Sequence, residues 1–147
     1  MPPHVAQTPA VPVQVGGQPF FATINHFQQN PGFSAEMRIE TVQSLGVHYA
    51  NSLWSHDVTL GWATVPGWRD YNLNSRFTTL TGTVLRRDGM GTRAGTISFF
   101  GDGRELLTIT TVESNQPQPI SVDLRGVNIL RIQISCNRTA FTNAMIY

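Results

Sequence analysis

The sequence contains no lysine; all ten of its basic residues are arginine. Without lysine there can be no Schiff-base chemistry and no phosphate-binding lysine of a P-loop. What remains is a set of planar guanidinium forks, suited to fixed polar contacts and to stacking on rings. The chain has one cysteine, Cys136, so no intrachain disulfide can form and the fold must stand on its core. Cys136 ends the apolar run that begins at Ile132 and reads as a small buried hydrophobe rather than a nucleophile.

Charge is also scarce. Charged residues make up 13% of the 147 residues, against roughly a quarter in an average soluble domain. So few charges cannot build a coiled coil or a charged disordered chain. The net charge of +1 provides no long-range field for nucleic acid or an anionic membrane. No apolar run is long enough to cross a bilayer, which argues against membrane insertion. No charged start followed by an apolar segment marks a secretory signal, so export by the usual route is unsupported and localisation stays open. Such compositions are common in extracellular and particle-associated β-proteins.

Helical periodicity is absent too, and a different rhythm takes its place. From Phe20 on, turn residues recur every eight to twelve positions between short β-branched and aromatic stretches, the signature of an all-β sandwich. Ile120, Val122 and Leu124 alternate onto one face, as do Leu130, Ile132 and Ile134, and as do Ile97 and Phe99. Asp102-Gly103 within FFGDGREL predicts a tight hairpin turn. A strand is also read at Phe20–Ile24, and Pro66-Gly67 is read as a loop that presents Trp68. The expected organisation is an extended, proline-rich N-terminal arm over residues 1–19, with prolines at 2, 3, 9, 12 and 19, followed by one antiparallel β-sandwich domain over 20–147.

Catalytic patterns find no footing, and the chain reads as a non-enzyme. The histidines His4, His26, His48 and His56 make no zinc spacing. Ser55-His56-Asp57 cannot form a relay, because neighbours on a strand point to opposite faces. Nine acids scattered singly make no case for glycoside hydrolysis.

The residues from about Gly46 to Ile134 resemble the NPCBM-type modules, a family of carbohydrate-binding domains. GVHYANSLWS is similar to the family's opening glycine-tyrosine segment. DYNLNSRFTTLTGTVLRRDG is similar to its following strand pair, ISFFGDGREL to its strand-turn-strand, and PISVDLRGVNILRIQI to its closing hydrophobic strands. The resemblance implies a jelly-roll, galactose-binding-like sandwich. One departure concerns the end of the chain: NRTAFTNAMIY holds no tryptophan where family members often have one, so the fold carries over better than the sugar site.

Binding has better material than catalysis. Trp54, Trp62 and Trp68 with Tyr49 and Tyr71 fall close together in sequence, interleaved with His48, Asn51, His56, Arg69, Asp70, Asn72 and Asn74. Sugars are held by this mixture of aromatic faces and planar polar groups. The expected ligand-binding residues are Trp68, Arg69, Asp70, Tyr71, Trp54, Tyr49, Asn51, His56 and Asn72. No cofactor is expected; since galactose-binding-like folds often hold a structural calcium, Asp57, Asp70 and Asp88 are the carboxylates that would supply it.

Two functions follow from these observations. The first is a non-catalytic carbohydrate-binding or surface-recognition module with a glycan as partner. The second is a structural subunit of a larger assembly, such as a virion or phage-particle coat, decoration or tail component. In that reading the partners are other protein subunits, with the N-terminal arm making the contacts of a homo-oligomer.

Overall fold

A computed structural model of the chain describes residues 16–29, 36–56, 58–60, 63–112, 116–135 and 137–147. The elements in chain order are β1 (Gln18–Pro19), α1 (Phe20–Thr23), β2 (His26–Gln29), β3 (Glu36–Ser44), β4 (Val47–His56), β5 (Val58–Leu60), β6 (Ala63–Val65), β7 (Gly67–Asn72), β8 (Thr79–Arg86), β9 (Gly95–Gly101), β10 (Arg104–Thr111), β11 (Gln118–Asp123), β12 (Ile129–Ile134) and β13 (Thr139–Ile146). They form two antiparallel sheets and a small β5–β6 hairpin. The first sheet runs β11-β8-β13-β4-β3, with β1 added to β13, and the second runs β10-β9-β12-β7-β2.

The predicted sandwich is therefore present, and alternation explains it. Leu130, Ile132 and Ile134 of β12 point inward and are fully buried, as do Ile97 and Phe99 of β9 and Ile120 and Val122 of β11. Phe99 of one sheet meets Phe141 of the other with ring centroids 5.2 Å apart, nearly edge to face, the geometry that aromatic quadrupoles favour. Within the first sheet, the Phe141 ring of β13 lies over Gly82 of the neighbouring β8. A side chain there would fall inside the Phe141 ring, 2.4 Å from its nearest atom. The hairpin at Asp102-Gly103 forms as read, with both residues at positive φ and Gly101 paired to Arg104.

Two readings of the chain's start need correction. Phe20–Thr23 is a short helix and not a strand, closed by the bond from Ile24 N–H to the Phe20 carbonyl. Pro19 supplies the fixed φ that precedes it, and the turn drops Phe20 into the core against Tyr71, centroid to centroid 4.7 Å. The strand of this region is β2, which follows the helix. Of the arm over residues 1–19, residues 1–15 lie outside the described residues, and Gln18–Pro19 pair with Ile146 and Met145 as part of the first sheet.

Candidate functional site

The segment that the sequence singled out, Trp68 to Asn72, lies on strand β7, which already begins at Gly67, so Gly67 is strand and not loop. Gly67 begins it because the backbone there passes so close to Ser55 that a side chain would overlap the hydroxyl. On β7 the side chains alternate. Arg69 and Tyr71 point into the sandwich, while Trp68, Asp70 and Asn72 point out of the second sheet. Tyr71 is core: its ring packs on Phe20, and burial pushes its phenol above the usual range against the opposing pull of the Arg69 guanidinium. Arg69 ties the two sheets at their edge, donating to the Met37 carbonyl at 2.9 Å and to Gln29 at 3.1 Å. Neither residue can serve as a contact on the outer face.

The outward residues belong to rows that cross the whole sheet. Register places Gln28, Asp70, Arg131, Phe100 and Glu105 side by side on five successive strands. Within that row Gln28 donates to Asp70 at 2.7 Å, and Arg131 grips the same carboxylate through Nε at 2.8 Å and Nη2 at 3.0 Å. This fork-to-fork pairing holds the Arg131 guanidinium above its ordinary pKa. The adjacent row carries Trp68, Gln133, Ser98 and Thr108, and the Arg131 guanidinium lies over the Trp68 ring at 3.8 Å from its centroid. Trp68 is thus covered by a cation on one face and is not a bare platform.

A depression of about 460 Å³ opens over these rows, lined by Asp70, Phe100, Asp102, Gly103, Ile129, Arg131 and Gln133. Its rim at the hairpin is held by hydrogen bonds. Asp102 accepts from the Asn128 and Ile129 amides at 3.1 and 2.9 Å and returns its own amide to the Ile129 carbonyl. Phe100, Arg131, Gln133 and Gln28 were not among the expected contacts. The alternation of ILRIQI and ISFF could have revealed them, since the residues opposite the buried set must face outward.

The other expected contacts lie elsewhere. Trp54, Tyr49 and His56 stand on β4 in the first sheet, and Trp54 packs into a satellite cluster with Val42, Leu85, Ala140 and Tyr49. Its indole donates to Glu40 at 3.1 Å, Arg87 covers its ring at 4.0 Å, and His56 lies 5.9 Å from it. Residues close together in sequence are thus divided between opposite faces of the sandwich, because β4 and β7 belong to different sheets. Asn51 sits on a bulge of β4 with positive φ. Trp62 and Asp57 lie outside the described residues.

Of the carboxylates expected for calcium, Asp57 lies outside the described residues and the other two stand apart. Asp70 is committed to Arg131 and Gln28 on the second sheet, and Asp88 accepts from the Leu45 and Gly46 amides at 2.7 and 3.0 Å beside the first. The two carboxylates do not converge, and among the described residues no group of three His, Cys, Asp or Glu side chains is placed to hold a metal.

Fold and face together define a two-sheet antiparallel β-sandwich with a polar-aromatic outer surface on its second sheet. The NPCBM/NEW2 domain family matches residues 60–143, more than half of the chain, and the chain belongs to that family. GVHYANSLWS lies before the matched span. Among solved structures, the CBM51 module of a Clostridium perfringens GH95 protein, determined with methyl-galactose, is similar with a TM-score of 0.64 at 11% identity. That comparison covers 89% of this chain and 99% of the other. The CBM51-2 and INT domains of Clostridium perfringens ZmpB are similar with a TM-score of 0.63 at 11% identity, covering 86% of this chain and 30% of the other. The same protein's M60 catalytic domain with both CBM51 domains gives 0.62 at 9%, covering 86% and 14%. At these identities the likeness is one of fold. No protein of curated function matches the chain in sequence.

Proposed function

We propose that this chain is a non-catalytic carbohydrate-binding module and that the outer face of the second sheet, centred on Arg131 and Phe100, receives the glycan. The carrying observation is the cross-sheet row in which Asp70 and Gln28 fix Arg131 beside an outward phenylalanine. A sugar ring needs an apolar surface for its C–H face and rigid planar groups for its hydroxyls. Phe100 and Ile129 supply the first, and Arg131 and Gln133 the second. Arg131 carries five N–H groups and spends two on Asp70. Its orientation is fixed before any ligand arrives, which lowers the entropic cost of binding. Family membership supports the same reading, as does the methyl-galactose complex of the similar CBM51 module.

The face is suited to binding and not to hydrolysis. Both carboxylates that line the depression act as acceptors within the protein, Asp70 to Arg131 and Gln28, Asp102 to two backbone amides. Neither is left as a free nucleophile. The assembly reading has no support from the family or from the related folds.

The experiment is retention on immobilised glycans, compared for the wild type, Phe100→Ala and Arg131→Lys. Retention of the wild type with loss in both variants, at unchanged circular dichroism, supports the reading. Undiminished retention by Phe100→Ala moves the glycan off this face, and a wild type that retains no glycan overturns the function itself.

A further inference from the structure

The first sheet contains a split between two of its inner strands. β4 and β13 pair only through Trp54 with Ala140 and Leu53 with Phe141. Beyond that point both strands carry an extra residue. On β4 the register with β3 slips between Glu40 and Val42, and on β13 the register with β8 slips between Thr142 and Met145. A bulge bends its strand away from the regular ladder, so two bulges at neighbouring positions part the strands. The Thr142 hydroxyl reaches the Ala50 carbonyl at 3.4 Å across the start of the gap. Further along, β13 takes β1 as its partner in place of β4.

The bulged residues are Asn51 and Asn143, at φ 53° and 54°. Asparagine is one of the few side-chain-bearing residues that adopts this left-handed conformation at low cost. Both are exposed, and among the described residues no protein group hydrogen-bonds either carboxamide. They flank a cleft of about 400 Å³ whose walls are apolar, chiefly Phe21, Ile39, Ala144 and Met145. Ile39 stays partly open to solvent although its strand neighbour Leu53 is fully buried. Two uncommitted amides, each able to donate and accept, thus face an apolar slot of roughly the volume of one or two sugar rings.

We infer that this cleft is a second glycan subsite, binding one neutral pyranose with its vicinal hydroxyls on Asn51 and Asn143. It rests on the carbohydrate-binding reading but uses a different sheet. Among the described residues no charged side chain lines the cleft, so an anionic sugar gains nothing there. Two weak sites on one rigid module raise the retention of a branched or multivalent glycan by effective concentration, with no further contact required.

The test uses the whole chain, labelled with ¹⁵N and titrated with methyl-galactoside and, separately, with N-acetylglucosamine. The side-chain amide signals of Asn51 and Asn143 report the cleft directly, and the Arg131 Nε–H signal reports the other face. The inference expects the two asparagine signals to shift saturably with at least one of these sugars. Asn51→Gly and Asn143→Gly keep the left-handed backbone, because glycine adopts it freely. Each should weaken binding in the cleft by about tenfold, as expected when a hydroxyl loses its partner, while the Arg131 response stays as in the wild type. Shifts confined to Arg131 and its neighbours overturn the second subsite and leave the function standing. If no signal moves with either sugar, the second subsite is overturned; the glycan-retention experiment then decides the function separately.

Discussion

Arg131 lies 3.8 Å above the centre of the Trp68 ring while Asp70 holds the same guanidinium through two hydrogen bonds. The ring and the carboxylate come from one strand, two residues apart, and the arginine from the next. The arrangement fixes a cation that a flexible side chain would leave free to wander, and it makes the pair Asp70–Arg131 the organising contact of the proposed face.

Replacing Arg131 with lysine keeps the charge but loses the fork and the stacking plane. Asp70 is almost fully buried, so Asp70→Asn leaves Arg131 without its anionic partner. The pair is partly exposed on the arginine side, and the loss in unfolding free energy is expected at about 1–2 kcal/mol. Urea denaturation of both variants beside glycan retention checks this. Arg131→Lys should retain most of the stability and lose the glycan.

At Gly82 the expected effect is purely steric. An alanine methyl would meet the Phe141 ring at 2.4 and 2.6 Å and the Thr142 carbonyl at 3.0 Å. Forcing the inter-sheet ring aside is expected to cost about 1–3 kcal/mol. A thermal melt that matches the wild type within error would show that the Phe141 ring over β8 has more slack than the packing implies.

Trp54 separates packing from recognition. It fills the satellite cluster on the first sheet and stands on the face opposite Arg131. Trp54→Ala should lower stability by about 3–5 kcal/mol and leave glycan affinity at the Arg131 face unchanged in molecules that remain folded. Trp54→Phe should recover part of the loss. A variant that is stable but no longer binds would transfer Trp54 to the recognition surface.

His26 gives the chain an acid limb. Burial lowers its pKa below 6.5, and the neighbouring Arg69 lowers it further. The folded state therefore favours the neutral ring. Between the folded value and 6.5 the unfolded chain binds more protons, so stability rises with pH through this window and is fully present above 6.5. His26→Gln should flatten that part of the pH–stability profile, measured by urea midpoints from pH 4.5 to 7.5. The same slope in the variant would place its origin in another group.

Sequence reached the two-sheet fold because burial acts on each strand separately. ILRIQI, ISFF and PISVDL each declare a buried face by alternation, whatever strand lies beside them. The Asp102-Gly103 turn was legible for a similar reason, since its chemistry is confined to two residues. The helix at Phe20–Thr23 was not. Its aromatic composition favours a strand, and only the core pocket beside Tyr71 decides that the chain should turn there.

The candidate face was half legible. Trp68 and Asp70 were visible as an aromatic and a polar residue in the expected mixture. Their partners Arg131 and Phe100 lie far along the chain and meet them only through the order of strands in the second sheet. The same sheet order moved Trp54 and Tyr49 to the far side, where no reading of local sequence would put them. The cleft between β4 and β13 belongs wholly to tertiary structure, for a bulge is a mismatch between two registers and neither strand carries it alone. By itself, then, the sequence determined which side of each strand is buried, because hydrophobic alternation is local. Which strands lie next to one another, and so which side chains share a surface, was decided only when the two sheets assembled, because pairing acts between segments distant in sequence.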